Sequence, residues 1–340
     1  MLVQLNQIAL LAAKRKSFAE QNIEKIIYLV GGLALFLAVI ALAFFIAEKS
    51  SSKAQKILKY VIFLFPALAF MFVGLIYPTF RTLYLSFMDA RGQNFVGFDN
   101  YIWAVTQSDA TTALRNTLIW TVLVPIGAVG FGLAIAVLTD RMKRASIPKS
   151  LIFMPMAISF VGASIIWKFV YDFQPPNRPQ IGLLSALTRA LGFEPTNWLL
   201  TFPLNTFLLI IIMIWIQTGF AMVIISGAIK GIPDEIIEAA MLDGASGWSR
   251  FRRVTIPMIR GTLVVVLSTL TISSLKVFDI VRTMTGGNFQ TSVIANEQYQ
   301  QTFRALNYGT GSALAMILFI GISPLVIYNV VQLKREREVR

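Results

Sequence analysis

The chain contains no cysteine and no histidine. Those two absences exclude disulfides, thiolate nucleophiles, imidazole general bases and the usual zinc ligand sets. Charge is scarce too: only 14% of residues are Asp, Glu, Lys or Arg, against about 25% in a soluble domain. No Gly-x-x-x-x-Gly-Lys-Ser/Thr phosphate loop occurs, so any ATP that drives this protein is hydrolysed by another polypeptide. No catalytic residue and no metal ligand set is expected.

Apolar residues make up 56% of the chain and the mean hydropathy is +0.68, the composition of a polytopic membrane protein. A helix of about twenty apolar residues crosses a hydrocarbon core of about 30 Å. Seven segments meet that length: Ile26 to Ala47, Tyr60 to Phe80, Thr117 to Leu138, Ser150 to Tyr171, Asn205 to Ile229, Met258 to Phe278 and Gly311 to Leu333. The longest loops, Arg81 to Asn116, Asp172 to Leu204 and Ile280 to Thr310, carry Pro, Gly and Asn clusters rather than a second core.

Cytoplasmic loops are enriched in Lys and Arg, and sixteen cations fall in alternate loops: Lys49, Lys53, Lys56 and Lys59; Arg141, Lys143, Arg144 and Lys149; Lys230, Arg250, Arg252 and Arg253; Lys334, Arg335, Arg337 and Arg340. The remaining loops hold seven, Arg81, Arg91, Arg115, Arg178, Arg189, Arg282 and Arg304. The segment 230–257 and the C-terminus are therefore expected inside. The same alternation puts residues 1–25 outside although they carry Lys14, Arg15, Lys16 and Lys25. Either that tail is translocated, or Leu2 to Ala13 dips into the membrane and restores parity. Cleavage of the first span as a secretory signal is not expected, because its apolar run is long and lies behind 25 residues. The net charge of +13 is spread over membrane-flanking loops, which points to anionic lipid headgroups and not to nucleic acid.

The polar segment between the fifth and sixth spans has its own local code. Pro233 suits a first helical position, and Asp234 and Glu235 follow in the positive end of the helix dipole. Gly244 is the residue type that stops a helix in a left-handed conformation, and Ser246 caps a second short helix carrying Trp248, Phe251, Arg250, Arg252 and Arg253. Pro257 is expected to close the unit. Ile236, Ile237, Ala240 and Met241 form an apolar stripe suited to a partner's groove, with Asp234, Glu235, Glu238 and Asp243 opposite.

Polar groups inside spans usually face a cavity or a neighbouring helix. In the sixth span Thr269, Ile272, Ser273 and Lys276 share one face. In the fifth, Met213, Ile216, Gln217 and Phe220 form a comparable stripe, mixing an amide with an aromatic ring as sugar sites do. The two stripes suit one cavity; Ser and Thr in membrane helices also bond across helices with no ligand at all. Lys276 stands about 27 Å along the helix from Met258, where it snorkels outward or pairs with Asp279. Lys168 and Asp172 are read as an interfacial pair.

Glu238-Ala239-Ala240, Gly244, Val254, Ile256 and Pro257 reproduce a long gapped pattern. It resembles the signature loop of permease subunits in binding-protein-dependent ATP-binding-cassette importers. Val277 to Gly287, Ser292 to Tyr299 and Phe303 resemble the region after that loop in sugar permeases of the maltose and sn-glycerol-3-phosphate group. Phe95 to Tyr101, Arg115 to Thr117 and Ser150 to Tyr171 are similar to the alpha-glucoside branch, whose substrates include maltose, sucrose and trehalose. The likeness covers about residues 57 to 333.

That resemblance implies an all-α polytopic bundle, a six-span type I importer permease core with one additional N-terminal span. It implies a division into 1–56, a permease domain 57–333 and a basic tail 334–340. Glu238, Ala239, Ala240, Asp243, Gly244 and Pro257 would couple the spans to a partner ATPase that binds ATP and Mg. The chain itself would hold no cofactor. A second, non-identical permease, an ATPase dimer and an extracytoplasmic sugar-binding protein would complete the importer, in a bacterial cytoplasmic membrane. In the maltose-type subunit the pocket lies on the two spans flanking the loop, which here carry Met213, Gln217, Phe220, Thr269, Ile272, Ser273 and Lys276. Of these, Met213, Ile272 and Lys276 depart from that subunit's amide- and aromatic-rich pattern. Importers of other polyols or of glycerol phosphates are the nearest alternative. An ion-coupled secondary transporter would carry carboxylates within its spans, and a membrane scaffold would move nothing.

Overall fold

A computed structural model describes residues 64–338 except 141 and 176, together with 22–23, 25–34, 36–41 and 45, with side chains as far as Val331. The expected first span Ile26 to Ala47 lies partly outside these residues; a shorter apolar helix, Lys25–Ala41, falls there. The segment Leu2 to Ala13, the lysines 49 to 59, Arg141 and Arg340 lie wholly outside. By its contacts the chain separates into Met1–Phe80 and Arg81–Arg340.

The described residues form helices α1 (Leu64–Leu85), α2 (Asp99–Thr106), α3 (Ser108–Asp140), α4 (Ser146–Phe153), α5 (Phe160–Val170), α6 (Leu183–Ala190), α7 (Leu204–Lys230), α8 (Asp234–Leu242), α9 (Gly247–Leu275), α10 (Asp279–Met284), α11 (Ile294–Tyr299) and α12 (Tyr308–Glu338). Among them there is no strand, only an isolated bridge between Met88 and Phe95. Five helices are long and apolar enough to cross a membrane, and six crossings result when the bent pair Ser146–Ala157 and Phe160–Val170 counts as one.

That pair departs from expectation: the fourth span is not a straight helix but turns by 104°. Pro155 lacks the N–H that would continue the ladder, and the chain passes through a tight turn at Met154–Ala157 into extended Ile158. Ser159 then starts α5, its hydroxyl accepting from the Gly162 N–H at 3.0 Å.

In the larger unit α7 is central, with 67% of its apolar window buried, against 33% for α3 and 22% for α9. Without a hydrophobic drive between helices in lipid, close packing of small residues holds such a bundle. Ala128, Ala136, Ala221, Met222 and Val266 form one buried cluster, while Trp120, Leu209, Ile212, Ile280 and Val281 form another. Gly132 and Gly219 permit backbone contact: a Cβ at Gly219 would lie 2.7 Å from the Ile152 carbonyl oxygen. Lys149 of α4 donates to the Ser226 hydroxyl of α7.

One end of this bundle is closed by the turn Thr285 to Ser292. The Asn116 amide on α3 donates to the carbonyls of Gln290 at 2.7 Å and Ser292 at 2.9 Å. Asn205 on α7 donates to the Phe289 carbonyl at 2.9 Å, and the Ile294 N–H donates to the Thr117 hydroxyl at 2.9 Å. Asn116→Ala should leave the buried Ser292 carbonyl short of a donor, at about 1–3 kcal/mol, and free the part-buried Gln290 carbonyl. The expected result is faster amide hydrogen exchange across 286–294 with exchange in α8 unchanged; equal protection in the variant would show that the turn holds itself.

Candidate functional site

Residues 231 to 250 stand at the other end, after the C-terminus of α7. Lys230 lies in the last turn of α7 and Gly231 caps it, placing a cation at the negative end of the helix dipole. Ile232 is buried and anchors the connection. Pro233 lies one position before the helix and is its N-cap residue, not its first helical one. Asp234 and Glu235 occupy the first turn as expected.

The far end of α8 is closed by glycine chemistry. Gly244 has φ +76°, and the Ala245 N–H donates to the Ala240 carbonyl at 3.0 Å while the Gly244 N–H donates to Met241 at 3.0 Å. That pair of bonds is the Schellman stop, which needs a residue tolerant of left-handed backbone. Ser246 then caps the next helix, accepting from the Ser249 N–H at 3.2 Å.

The expected closure at Pro257 does not occur, because α9 runs unbroken from Gly247 through Pro257 to Leu275. A wide turn at Phe251–Thr255, where the Ile256 N–H donates to the Phe251 carbonyl, precedes the proline. Pro257 sits at the start of regular helix, where its missing N–H is tolerated. The second helix of the loop is therefore continuous with the sixth span.

None of the nine residues of α8 is buried. Glu238, Ala239, Asp243 and Gly244 are exposed and Ala240 is half-buried. The apolar stripe splits: Ile237 packs on the protein's own core, whereas Ile236 and Met241 face outward. Two further apolar side chains stand out, Leu242 at 89% and Trp248 at 70% exposure. The periodicity missed Leu242 because it occupies the last helical position, just before the cap. Behind α8 a cleft of about 800 Å³ is bordered by Asp140, Lys230, Asp234 and Arg250.

The two candidate stripes meet at one point: the Gln217 amide on α7 donates to the Ser273 hydroxyl on α9 at 3.2 Å. Met213 is enclosed in the core, Phe220 is half-buried against the second cluster, and Ile272 is half-buried. Thr269 is exposed and its hydroxyl bonds back to the Val265 carbonyl at 2.8 Å. Lys276 caps α9, exposed, and makes no ion pair with Asp279. The expected pair of Lys168 with Asp172 does not form either; Asp172 accepts from the Gln174 amide at 2.9 Å. Among the described residues, neither expected ion pair forms at this end of the bundle.

Five helices able to cross a membrane, with α7 at the centre of the larger unit and followed at one end by a short helix with no buried residue, are the build of a multi-pass membrane protein. Residues 116–337 match the family described as "Binding-protein-dependent transport system inner membrane component". Osmoprotective compounds uptake permease protein GgtC of Synechocystis sp. is 53% identical over 275 residues, 81% of this chain and 99% of that protein. Alpha-glucoside transport system permease protein AglF of Rhizobium meliloti is 48% identical over 277 residues, 81% of this chain and 82% of that protein. A crystal structure of a bacterial ABC transporter involved in the import of the acidic polysaccharide alginate matches with TM-score 0.71 at 20% identity, covering 84% of this chain and 99% of that one. This chain belongs to the binding-protein-dependent transport system inner membrane component family, and its fold is the type I importer permease fold.

Proposed function

We propose that this chain is a permease subunit of an ATP-binding-cassette importer for a disaccharide or alpha-glucoside, with α8 as the element that an ATPase dimer grips. The observation that carries the coupling role is α8 itself, stopped by a Schellman turn at its C-terminal end and with no residue buried. A helix left bare in this way, with Met241, Leu242 and Trp248 exposed beside acidic groups, is a protein-docking surface. Glu238, Ala239, Ala240, Asp243 and Gly244 supply its contact face, and Pro257 starts the regular part of the rod behind it.

The sugar assignment is supported by AglF, named for alpha-glucoside transport, and by the Gln217 to Ser273 contact between the two candidate stripes. Met213, Gln217, Phe220, Thr269, Ile272, Ser273 and Lys276 are the proposed lining. A second, non-identical permease covers the exposed apolar faces, an extracytoplasmic binding protein delivers the solute, and ATP with Mg is bound by the ATPase. The whole sits in a bacterial cytoplasmic membrane. A second reading, uptake of osmoprotective solutes of other polyol type, is favoured by GgtC at 53% identity.

Reconstitution of the chain with its co-purifying subunits into proteoliposomes separates the two. ATP-dependent uptake of radiolabelled maltose, sucrose or trehalose is expected, and Gln217→Ala should lower it. Uptake of none of the three, alongside transport of a smaller polyol, would select the second reading. Transport without ATP would remove both.

A further inference from the structure

At the end of the bundle opposite α8, a cleft of about 700 Å³ opens between the first turn of α3, the turn Thr285 to Ser292, and α11 with the wide turn that follows it. Its lining differs in kind from the apolar helices below. Asn288, Phe289, Asn296, Glu297, Gln300 and Arg304 surround it.

Three observations mark it as built. Asn296 is 1% exposed and its amide nitrogen donates to the Ser292 hydroxyl at 3.0 Å, yet its carbonyl oxygen is buried with no partner. A buried acceptor left unmade costs about 1–3 kcal/mol. Glu297 is 7% exposed, accepts from the Gln301 amide at 2.9 Å, and has no ion pair among the described residues. Phe289 and Gln290 are both left-handed, with φ 58° and 60°, a conformation that persists only where surrounding structure imposes it. Here Asn205 and Asn116 impose it by bonding their carbonyls. The result fixes the Phe289 ring, 49% exposed, at the rim.

Acceptors and donors are thus interleaved on one wall. The Glu297 carboxylate takes hydroxyl protons, while Gln300 and Arg304 donate to hydroxyl oxygens. Phe289 offers a face for C–H groups. Such a set matches a neutral polyhydroxylated ligand. Anions are disfavoured by Glu297 and by Asp109 in the same lining, and no group of carboxylates able to hold a metal occurs among the described residues. The volume lies within the roughly 300–1,000 Å³ of small-ligand sites.

The geometry points to a sugar-binding site on the substrate-receiving face, separate from the Gln217 and Ser273 contact and occupied before solute enters the bundle. This rests on the reading of the chain as a sugar importer subunit.

The test is saturation-transfer NMR on the full chain, purified with its associated subunits in lipid nanodiscs, without nucleotide or binding protein, titrated with trehalose, maltose and sucrose. At least one sugar is expected to bind with a millimolar dissociation constant, weakened about tenfold in Glu297→Gln and in Phe289→Ala. In a Gln217→Ala background the same tenfold weakening by Glu297→Gln and by Phe289→Ala should persist. Glu297→Gln is nearly isosteric and Phe289 is at the rim, so both should assemble as wild type does; thermal unfolding checks this. Binding unchanged in both variants and lost in Gln217→Ala would overturn the site while sparing the importer reading. No sugar binding, together with weaker capture of the purified binding protein by Glu297→Gln, would overturn it in favour of a protein contact. If wild-type proteoliposomes transport no sugar but the titration still depends on Glu297, the transport reading fails and the site stands.

Discussion

Glu238→Lys should abolish ATP-driven uptake while leaving the subunit folded in the membrane. The carboxylate stands exposed on α8 and has no hydrogen-bond or ion-pair partner within the described residues. Its reversal therefore disturbs nothing internal, and an exposed substitution of this kind shifts stability by no more than about 0.5 kcal/mol. Asp234 lies four residues earlier, so the new lysine completes a favourable acid-to-base pair on the helix surface. The loss falls on the partner instead. Removing one charge from a desolvated pair across an interface costs about 2–5 kcal/mol, which is about thirtyfold or more in affinity. Co-purification of the ATPase should fall with uptake, and Glu238→Gln should fall less. Uptake at the wild-type rate by Glu238→Lys would remove α8 from the coupling role.

Gly132→Leu should prevent assembly of the larger unit. Gly132 on α3 faces α7, the most extensive helix pair in the bundle, and a Cβ there would lie 2.7 Å from the Ala221 Cβ and 2.8 Å from the Met222 backbone nitrogen. Overpacking ordinarily costs about 1–3 kcal/mol. Here the obstructing atoms are the α7 backbone and a Cβ fixed rigidly to it, so α3 and α7 must separate, and the cost exceeds that range. Little monodisperse protein should be recovered after detergent extraction. Gly132→Ala should be recovered in part, with a lower unfolding temperature. Gly130 is the control: a Cβ meets nothing within 4 Å there, so Gly130→Leu should be recovered at the wild-type level. Equal recovery of Gly132→Leu and Gly130→Leu would show that the helices do not pack as closely as described.

Much of α8 was legible residue by residue. Asp234 and Glu235 at its start, Gly244 at its end and Ser246 at the next cap act within four residues of where they stand, and the structure places each of these signals in its expected role. Three prolines were read less well, Pro233 standing one position earlier than expected, at the N-cap. Pro257 was expected to close the loop, but proline also suits the start of regular helix, and the wide turn before it lets the rod run through. Pro155 lies inside an apolar run long enough to span, and only the structure shows the chain bending by 104° there, where the backbone of Ile152 and Phe153 packs on Gly219.

The candidate pocket shows the deeper limit. A membrane helix such as α7 is apolar on every side, so no periodic contrast identifies which face is inward. Met213 and Gln217 share a stripe in the sequence, yet one is absorbed into the core and the other reaches Ser273.

By itself the sequence determined five of the long apolar helices, their order, and most of the punctuation of the loop that carries Glu238, because length, hydropathy and capping are local properties. Tertiary structure alone decided that Asn116 and Asn205 clamp one turn, that Asn296 and Glu297 are buried beside a polar cleft, and that α9 is continuous with the second helix of the Glu238 loop. Those outcomes depend on hydrogen bonds between residues far apart in the chain and on how closely backbones approach, and neither leaves a mark on any short window of sequence.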